Sequence, residues 1–247
     1  VVYLAHKSHE PAKLTRTTAT SFTIADIDFV DGPYLDENDT TTTLYASAQT
    51  GSGITITASA SLFTSADVGR YIRFREVLEV HYDEWAASTS YANNAKVRFN
   101  GHVYKHTTGS TQTSGNTPPV HLEGSEVYGA LTWEYQHDNN GYVVITGFTS
   151  ATSVTATVKT NAIGISTLPE HTVGSSNATK LWSLGAFGGD QGFPRAVGFY
   201  EQRLYFAGTT GQPQTIFGSV SADFENHTPG ILDDDAVNLT IASDKVN

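Results

Sequence analysis

Short runs in which apolar and polar residues alternate, separated by Gly, Pro, Asn and Asp, recur along the chain. Alternation with a period of two is typical of strands that bury one face, and Gly and Pro favour turns between strands. A loop is predicted at 6–11, and a short helical turn or loop at 63–69. The pattern predicts a mainly β fold, with strands at 2–5, 13–17, 21–24, 42–46, 54–57, 71–74 and two more within 141–158.

The stretch 193–226 has the clearest strand pattern. Leu204 and Phe206 share one face of an extended segment, which is either one strand with a kink or two strands. Gly and Pro residues within 208–213 favour a turn, and residues 215–220 resume the extended pattern. The spacing therefore predicts a hairpin.

The same stretch contains an ordered set of residues: Pro194, 197–199, Arg203-Leu204, Phe206, Gly208 and Pro213-Gln214-Thr215. In this order it resembles the tail nozzle proteins of short-tailed bacteriophages, also called tail tubular protein B. Residues 2–16 and 29–38 give a second, looser likeness to the same family. The two motifs occur in the family's order and flank most of the chain.

This resemblance implies propeller- or barrel-like β segments and a homo-oligomeric ring, which is a hexamer in that family. It also implies a place in the virion tail and contacts with other tail proteins, such as the adaptor and fibres. The ring would form a channel for genome delivery, through which DNA passes without specific binding. No cofactor is implied.

Changes of composition along the chain predict its organisation. We expect nozzle β segments at 1–40 and 161–247, the latter propeller-like, and a small β barrel or sandwich formed by 41–79 together with 141–160. Residues 80–140 are richer in Trp, Tyr, His and Asn, which indicates a small β module inserted into a loop of the barrel.

Aromatic residues punctuate the predicted insert: Trp85, Tyr91, Lys96-Val97, Asn100-Gly101, Tyr104-Lys105, Pro118-Pro119 and Trp133. Their order resembles the small carbohydrate-binding modules attached to chitinases. That resemblance implies that exposed aromatic rings stack on sugar faces, in this case on a host-surface glycan.

Two interpretations of these aromatics stay open, because a small β unit also needs aromatic residues for its own core. We expect Trp85, Tyr91 and Tyr104 to be mainly core. Trp133 and Tyr135 are the better candidates for an outward face that contacts sugar. The run 131–135 lacks the additional adjacent aromatic that usually ends the family's pattern.

Composition limits the functions that remain. The formal net charge of -11 opposes phosphate binding, although a negatively charged lumen would let DNA slide. No apolar run reaches the roughly 20 residues that a membrane helix needs, so we expect no membrane insertion. The absence of Cys excludes disulfides and thiolate metal sites. The absence of Met, the start at Val1 and the end at Asn247 suggest a segment of a longer polypeptide.

Metal sites are not expected. Asp26, Asp28 and Asp31 resemble part of a calcium loop, but the remaining spacing does not fit, and acidic residues are favoured in turns. The scattered histidines are assigned to surface or packing roles, because they lack the companion ligands of a zinc site; those of the insert are His102, His106 and His121.

Catalytic residues are not predicted either. No Gly-X-Ser-X-Gly motif occurs, and adjacent carboxylates such as Asp83 and Glu84 point to opposite faces of a strand. The run 233–235 is expected to be a solvated loop or an inter-subunit contact, and the Gly-rich stretch 185–190 lacks the Lys of a phosphate loop.

The leading hypothesis is thus a non-enzymatic structural component of a phage tail nozzle. The alternative is a carbohydrate-binding adhesin that recognises host-surface polysaccharide through the insert, with the rest of the chain as scaffold. A polysaccharide-degrading enzyme is a third, less favoured hypothesis.

Overall fold

The computed structural model of the chain describes residues 1–241. Strands hold 46% of the residues and helices 7%, which confirms the mainly β prediction. The strands are, in chain order, β1 (Val2–His6), β2 (His9–Arg16), β3 (Phe22–Asp26), β4 (Leu44–Ala46), β5 (Ser52–Ala58), β6 (Tyr71–Arg75), β7 (Asp83–Glu84), β8 (Ser90–Tyr91), β9 (Lys96–Phe99), β10 (His102–His106), β11 (Gln112–Thr113), β12 (Ser125–Tyr128), β13 (Leu131–Asp138), β14 (Asn140–Ser150), β15 (Ser153–Val158), β16 (Trp182–Leu184), β17 (Ala196–Tyr200), β18 (Arg203–Ala207), β19 (Thr215–Gly218) and β20 (Val237–Thr240).

Helical structure is confined to short segments. One α-helical turn, α1 (Leu78–His81), follows β6, and the 3-10 turns are Ser65–Asp67, Glu170–Thr172, Ser175–Asn177 and Gly189–Gln191. The first of these turns lies in the segment 63–69, where a helical turn or loop was predicted. Within residues 1–241, no helix has the length and apolar composition needed to cross a bilayer.

The central sheet is six-stranded and curls into a half barrel, with the strand order β16-β6-β14-β15-β5-β4. All its neighbouring strands pair antiparallel. Apolar residues on alternate positions point into one core, as the period of two predicts. That core is formed by Leu44, Ala46, Ile54, Ile56, Ala58, Phe63, Ile72, Phe74, Val143, Ile145, Val154, Ala156, Val158, Leu168 and Trp182.

The chain leaves the central sheet after β6 and returns at β14, which pairs with β6 in register Arg75 to Asn140. The Glu76 N–H donates to the Asn139 carbonyl at 2.8 Å, so the two ends of the intervening segment meet. Between them lie a five-stranded sheet, with the order β12-β13-β10-β9-β7, and the two-stranded sheet β8-β11. These sheets lie inside the segment predicted to be an insert.

The two ends of the chain pack on each other. The N-terminal sheet has the order β1-β2-β3, and the C-terminal sheet has the order β17-β18-β19-β20. Their shared core contains Ile27, Phe29, Leu204 and Phe206, with Tyr3, Ala5, Tyr71, Phe187, Val197 and Phe224 packed against it. The predicted pairing of Leu204 with Phe206 on one face is therefore correct, and the kinked segment is two strands.

Three local features differ from the sequence-based expectation. Of the loop predicted at 6–11, residues 7–8 form a turn and the others belong to β1 and β2. Pro11, which has no N–H, fits into β2 because the register with β1 is irregular between Leu4 and His6. Strand β16 joins the edge of the central sheet, although the sequence places it in the segment 161–247. Strand β20 was not predicted, and the last part of that segment, residues 242–247, lies outside the described residues.

Deletion of the inserted segment tests the predicted organisation. Replacing residues 77–138 by Asn-Gly would join Glu76 to Asn139 through a two-residue hairpin, a connection that suits strands already paired at this point. We expect the shortened chain to keep a β circular dichroism spectrum and one cooperative urea transition. A shortened chain that is unfolded in buffer would contradict the boundary.

His227 gives a second prediction, for the dependence of stability on pH. Its ring is buried against Phe29 and Phe206, and neither ring nitrogen has a hydrogen-bond partner among residues 1–241. Burial lowers the pKa of His227 from 6.5 to about 3. The unfolded chain therefore takes up a proton below pH 6.5 that the folded chain does not, and the free energy of unfolding falls as pH falls.

Burial of neutral His227 lowers the free energy of unfolding by about 1.4 kcal/mol for each pH unit below the pKa that this histidine has in the unfolded chain. We expect His227→Leu to flatten the pH dependence of the free energy of unfolding by about this slope, measured by urea titration at several pH values. The exposed His9 is the matched control, and His9→Leu should leave the slope unchanged. Equal slopes for wild type and His227→Leu would rule out this role.

Candidate functional site

The aromatic residues of the insert form its core. Four of the five sugar-contacting candidates are buried, namely Tyr91, Tyr104, Trp133 and Tyr135, and Trp85 is half-buried against them. The Tyr91 and Trp133 rings pack edge to face at 5.2 Å, and the Tyr104 and Tyr135 rings do so at 5.9 Å. Edge-to-face pairs of this kind stabilise a small core beyond the area that they bury.

The expectation that Trp133 and Tyr135 face outward is wrong. Strand β13 lies between β10 and β12, and its alternate residues from Leu131 to His137 are all buried. Trp133 is 0% exposed, and the Tyr135 hydroxyl donates to the Asp138 carboxylate. The period of two places both rings on the face that Leu131 already directs into the core.

The acidic turn near residue 30 is held by hydrogen bonds and an ion pair. Both Asp28 carboxylate oxygens accept from Lys159 Nζ, at 2.6 and 2.7 Å, and Asp31 accepts from the Tyr34 hydroxyl at 2.8 Å. Burial raises the pKa of Asp31. Among the described residues, the one cluster with the spacing of metal ligands does not include these aspartates.

The insert histidines considered as zinc ligands have separate partners. His102 Nδ1 contacts Asp138 at 2.5 Å, His106 Nδ1 contacts the Ala92 carbonyl at 3.0 Å, and His121 stacks on Tyr128.

The acidic run 233–235 makes hydrogen bonds within the chain. The backbone carbonyls of Asp233 and Asp235 accept from the Arg203 guanidinium.

The C-terminal sheet is apolar on both faces. Its inner face carries Leu204, Phe206 and Phe217, which are buried in the chain. Its outer face, here called the C-terminal apolar face, is formed by Tyr200, Tyr205, Ile216, Val237 and Leu239. Tyr200 is 66% exposed and Leu239 is 58% exposed. The register sets Leu239 beside Ile216, and Tyr205 and Val237 lie on either side of Gly218, so the side chains form one patch.

The N-terminal sheet also exposes apolar side chains, on one of its two faces. The register aligns Val2 with Leu14 and Leu14 with Ile24, and it places Leu4 and Phe22 on the same face. This N-terminal apolar face is formed by Val2, Leu4, Leu14, Phe22 and Ile24, and the exposed Arg16 and Asp26 lie at its edges. Phe22 is 58% exposed and Ile24 is 66% exposed. The opposite face directs Tyr3 and Ala5 into the core shared with the C-terminal sheet.

Sequence reasoning missed a polar cluster at the base of the insert. Glu76 follows β6, His81 ends α1, and His171 lies in the turn Glu170–Thr172. One ligand atom of each lies within 4.8 Å of the others. Spacing along the sequence does not indicate this cluster, because His171 lies 95 residues after Glu76.

Comparisons with known proteins add no relative: no protein-family model matches the chain, and no curated protein matches it significantly.

The buried position of Trp133 predicts a structural role. We expect Trp133→Ala to lower the free energy of unfolding by about 3–5 kcal/mol, the usual cost of removing a fully buried large aromatic side chain. Val127, on the adjacent strand β12, is largely exposed, and Val127→Ala should change stability by less than about 0.5 kcal/mol. Urea unfolding of both variants measures the difference. Equal stabilities for Trp133→Ala and wild type would show that Trp133 is not a core residue in solution.

Proposed function

We propose that this chain is a structural subunit of the tail nozzle of a short-tailed bacteriophage and assembles into a ring through its two terminal sheets. The observation that carries the proposal is the pair of exposed apolar faces, one on each sheet. Large exposed apolar patches mark interaction surfaces, because covering them removes apolar area from water.

The two faces have different side chains, which favours head-to-tail contact. In that arrangement the N-terminal apolar face of one copy packs on the C-terminal apolar face of the next. Such a contact is heterologous. It closes into a ring when the rotation between neighbouring copies is a whole-number fraction of a full turn. Burying each large apolar side chain contributes about 1.5–3 kcal/mol, which can offset the entropy lost on association. The resemblance to tail nozzle proteins suggests six copies.

The charge of the chain suits a conduit for DNA. A net charge of -11 repels phosphates, so DNA would pass without stable contacts. On this proposal the insert projects from the central sheet of each subunit, and the ring works by its shape and charge without a catalytic step. The other tail proteins, adaptor and fibres, would be its partners in the virion tail.

The adhesin alternative has less support from the geometry. Sugar binding by stacking needs an aromatic ring with a free face, and four of the five candidate rings are buried in the insert core. A pull-down on chitin and bacterial surface polysaccharides distinguishes the two functions. Retention of wild type, with loss on Trp85→Ala in a folded variant, would favour the adhesin.

Ring formation is tested by changing the N-terminal apolar face. We expect wild type to form closed rings, seen by light scattering after size exclusion and by negative-stain electron microscopy. Ile24→Lys should shift the population to monomers, because a charge would be buried at the contact. Thr23→Lys is the matched control on the same strand, since Thr23 is exposed on the opposite face, and it should leave the rings intact.

The C-terminal apolar face is tested in the same way with Leu239→Lys, which should also give monomers. A mixture of Ile24→Lys and Leu239→Lys chains keeps one intact pair of faces and should form dimers and no rings. Wild-type chains that remain monomeric at high concentration would refute the proposal, as would rings that persist in both variants.

A further inference from the structure

We propose that Glu76, His81 and His171 form a binding site for one divalent transition-metal ion of the zinc type, at the base of the insert. This site is independent of ring formation. Two imidazoles and one carboxylate are a ligand set that zinc takes in proteins, with further positions left for water. Glu76 is buried, His171 is half-buried and His81 is exposed, so an ion can enter from solvent.

The contact between His171 and Glu76 already has the geometry that an ion would replace. His171 Nδ1 lies 2.6 Å from Glu76 Oε1, at hydrogen-bonding distance, with the carboxylate as acceptor. A tetrahedral ion with bonds of about 2.0–2.2 Å holds neighbouring ligand atoms roughly 3.3 Å apart. Replacing the proton by the ion therefore needs a movement of less than about 1 Å at this pair.

The third ligand needs only a side-chain rotation. The His81 ring stacks on the His171 ring, with centroids 3.7 Å apart and planes 5° from parallel. His81 is exposed, so its ring can turn to bring a nitrogen from the present spacing, within 4.8 Å, to bonding distance.

The surrounding charges favour a cation. The nearby Lys96 ammonium is paired with the Glu170 carboxylate. Among the described residues, the Glu76 carboxylate has no Lys or Arg partner. The pairing of Lys96 with Glu170 thus leaves the negative charge of Glu76 for an ion.

Tyr82 is placed to position the site. Its hydroxyl donates to Glu170 Oε2 at 3.1 Å and lies 3.2 Å from His171 Nδ1. The ligands come from three connections: the end of β6, the end of α1 and the turn after β15. A bound ion would therefore fasten the insert to the central sheet at the point where the chain enters it.

Titration of the full chain with Zn²⁺ alone, after treatment with a chelator, tests the site by calorimetry. We expect one ion per chain for wild type. His81→Ala should weaken binding by at least about 10–100-fold, the loss that follows even from removing an outer partner of a ligand. Because His81 is exposed, this variant should fold as wild type does, which circular dichroism checks.

The exposed histidines 6 and 9, whose rings lie 5.1 Å apart, are the internal control for adventitious binding. His9→Ala should leave the stoichiometric site unchanged. Co²⁺ provides a second readout, since its visible absorption bands report imidazole coordination and should disappear in His81→Ala and persist in His9→Ala. No stoichiometric Zn²⁺ binding by wild type, or binding lost with His9→Ala and kept with His81→Ala, would overturn the proposal.

Discussion

The antiparallel pairing of β6 with β14 is the constraint on which the rest of the molecule depends. It joins two segments that are far apart in sequence at the middle of the central sheet, with Arg75 opposite Asn140. The segment after β15 packs closely on β14 beside this pair: a Cβ on Gly141 would lie 2.5 Å from the Thr167 carbonyl oxygen. Because the paired strands hold the two ends of the insert together, the insert can fold as its own sheets without disturbing the barrel core. The same pairing brings Glu76 to the base of the insert, where His81 and His171 meet it.

The sequence predicts those parts of the fold that follow from local periodicity. Ile54 and Ile56, or Leu204 and Phe206, lie on one face because side chains alternate along any strand. The same rule, started from Leu131, would have placed Trp133 and Tyr135 inside. Likeness to a sugar-binding module favours exposed rings, whereas the alternation of β13 places these two in the core. Pro11 lies within a strand for a different reason: an irregular register tolerates a missing N–H.

Features that depend on register or on distant contacts could not be predicted from one sequence. The N-terminal apolar face exists only because Val2, Leu14 and Ile24 align across three strands, and a shift of one residue would place them on opposite faces. The cluster of Glu76, His81 and His171 needs the path of the whole central sheet. Such sets of residues carry no spacing signal, so their chemistry becomes visible only in three dimensions.

For the proposed ring, the net charge and the apolar faces act at different ranges. Copies with a charge of -11 repel one another over roughly a Debye length, about 8–10 Å at moderate salt. Contact between apolar faces acts only when water is expelled, so it must supply the attraction at short range. Because the faces lie on the two sheets that share one core, each subunit presents both surfaces in a fixed relation. A rigid relation of this kind is what a closed ring of identical subunits requires.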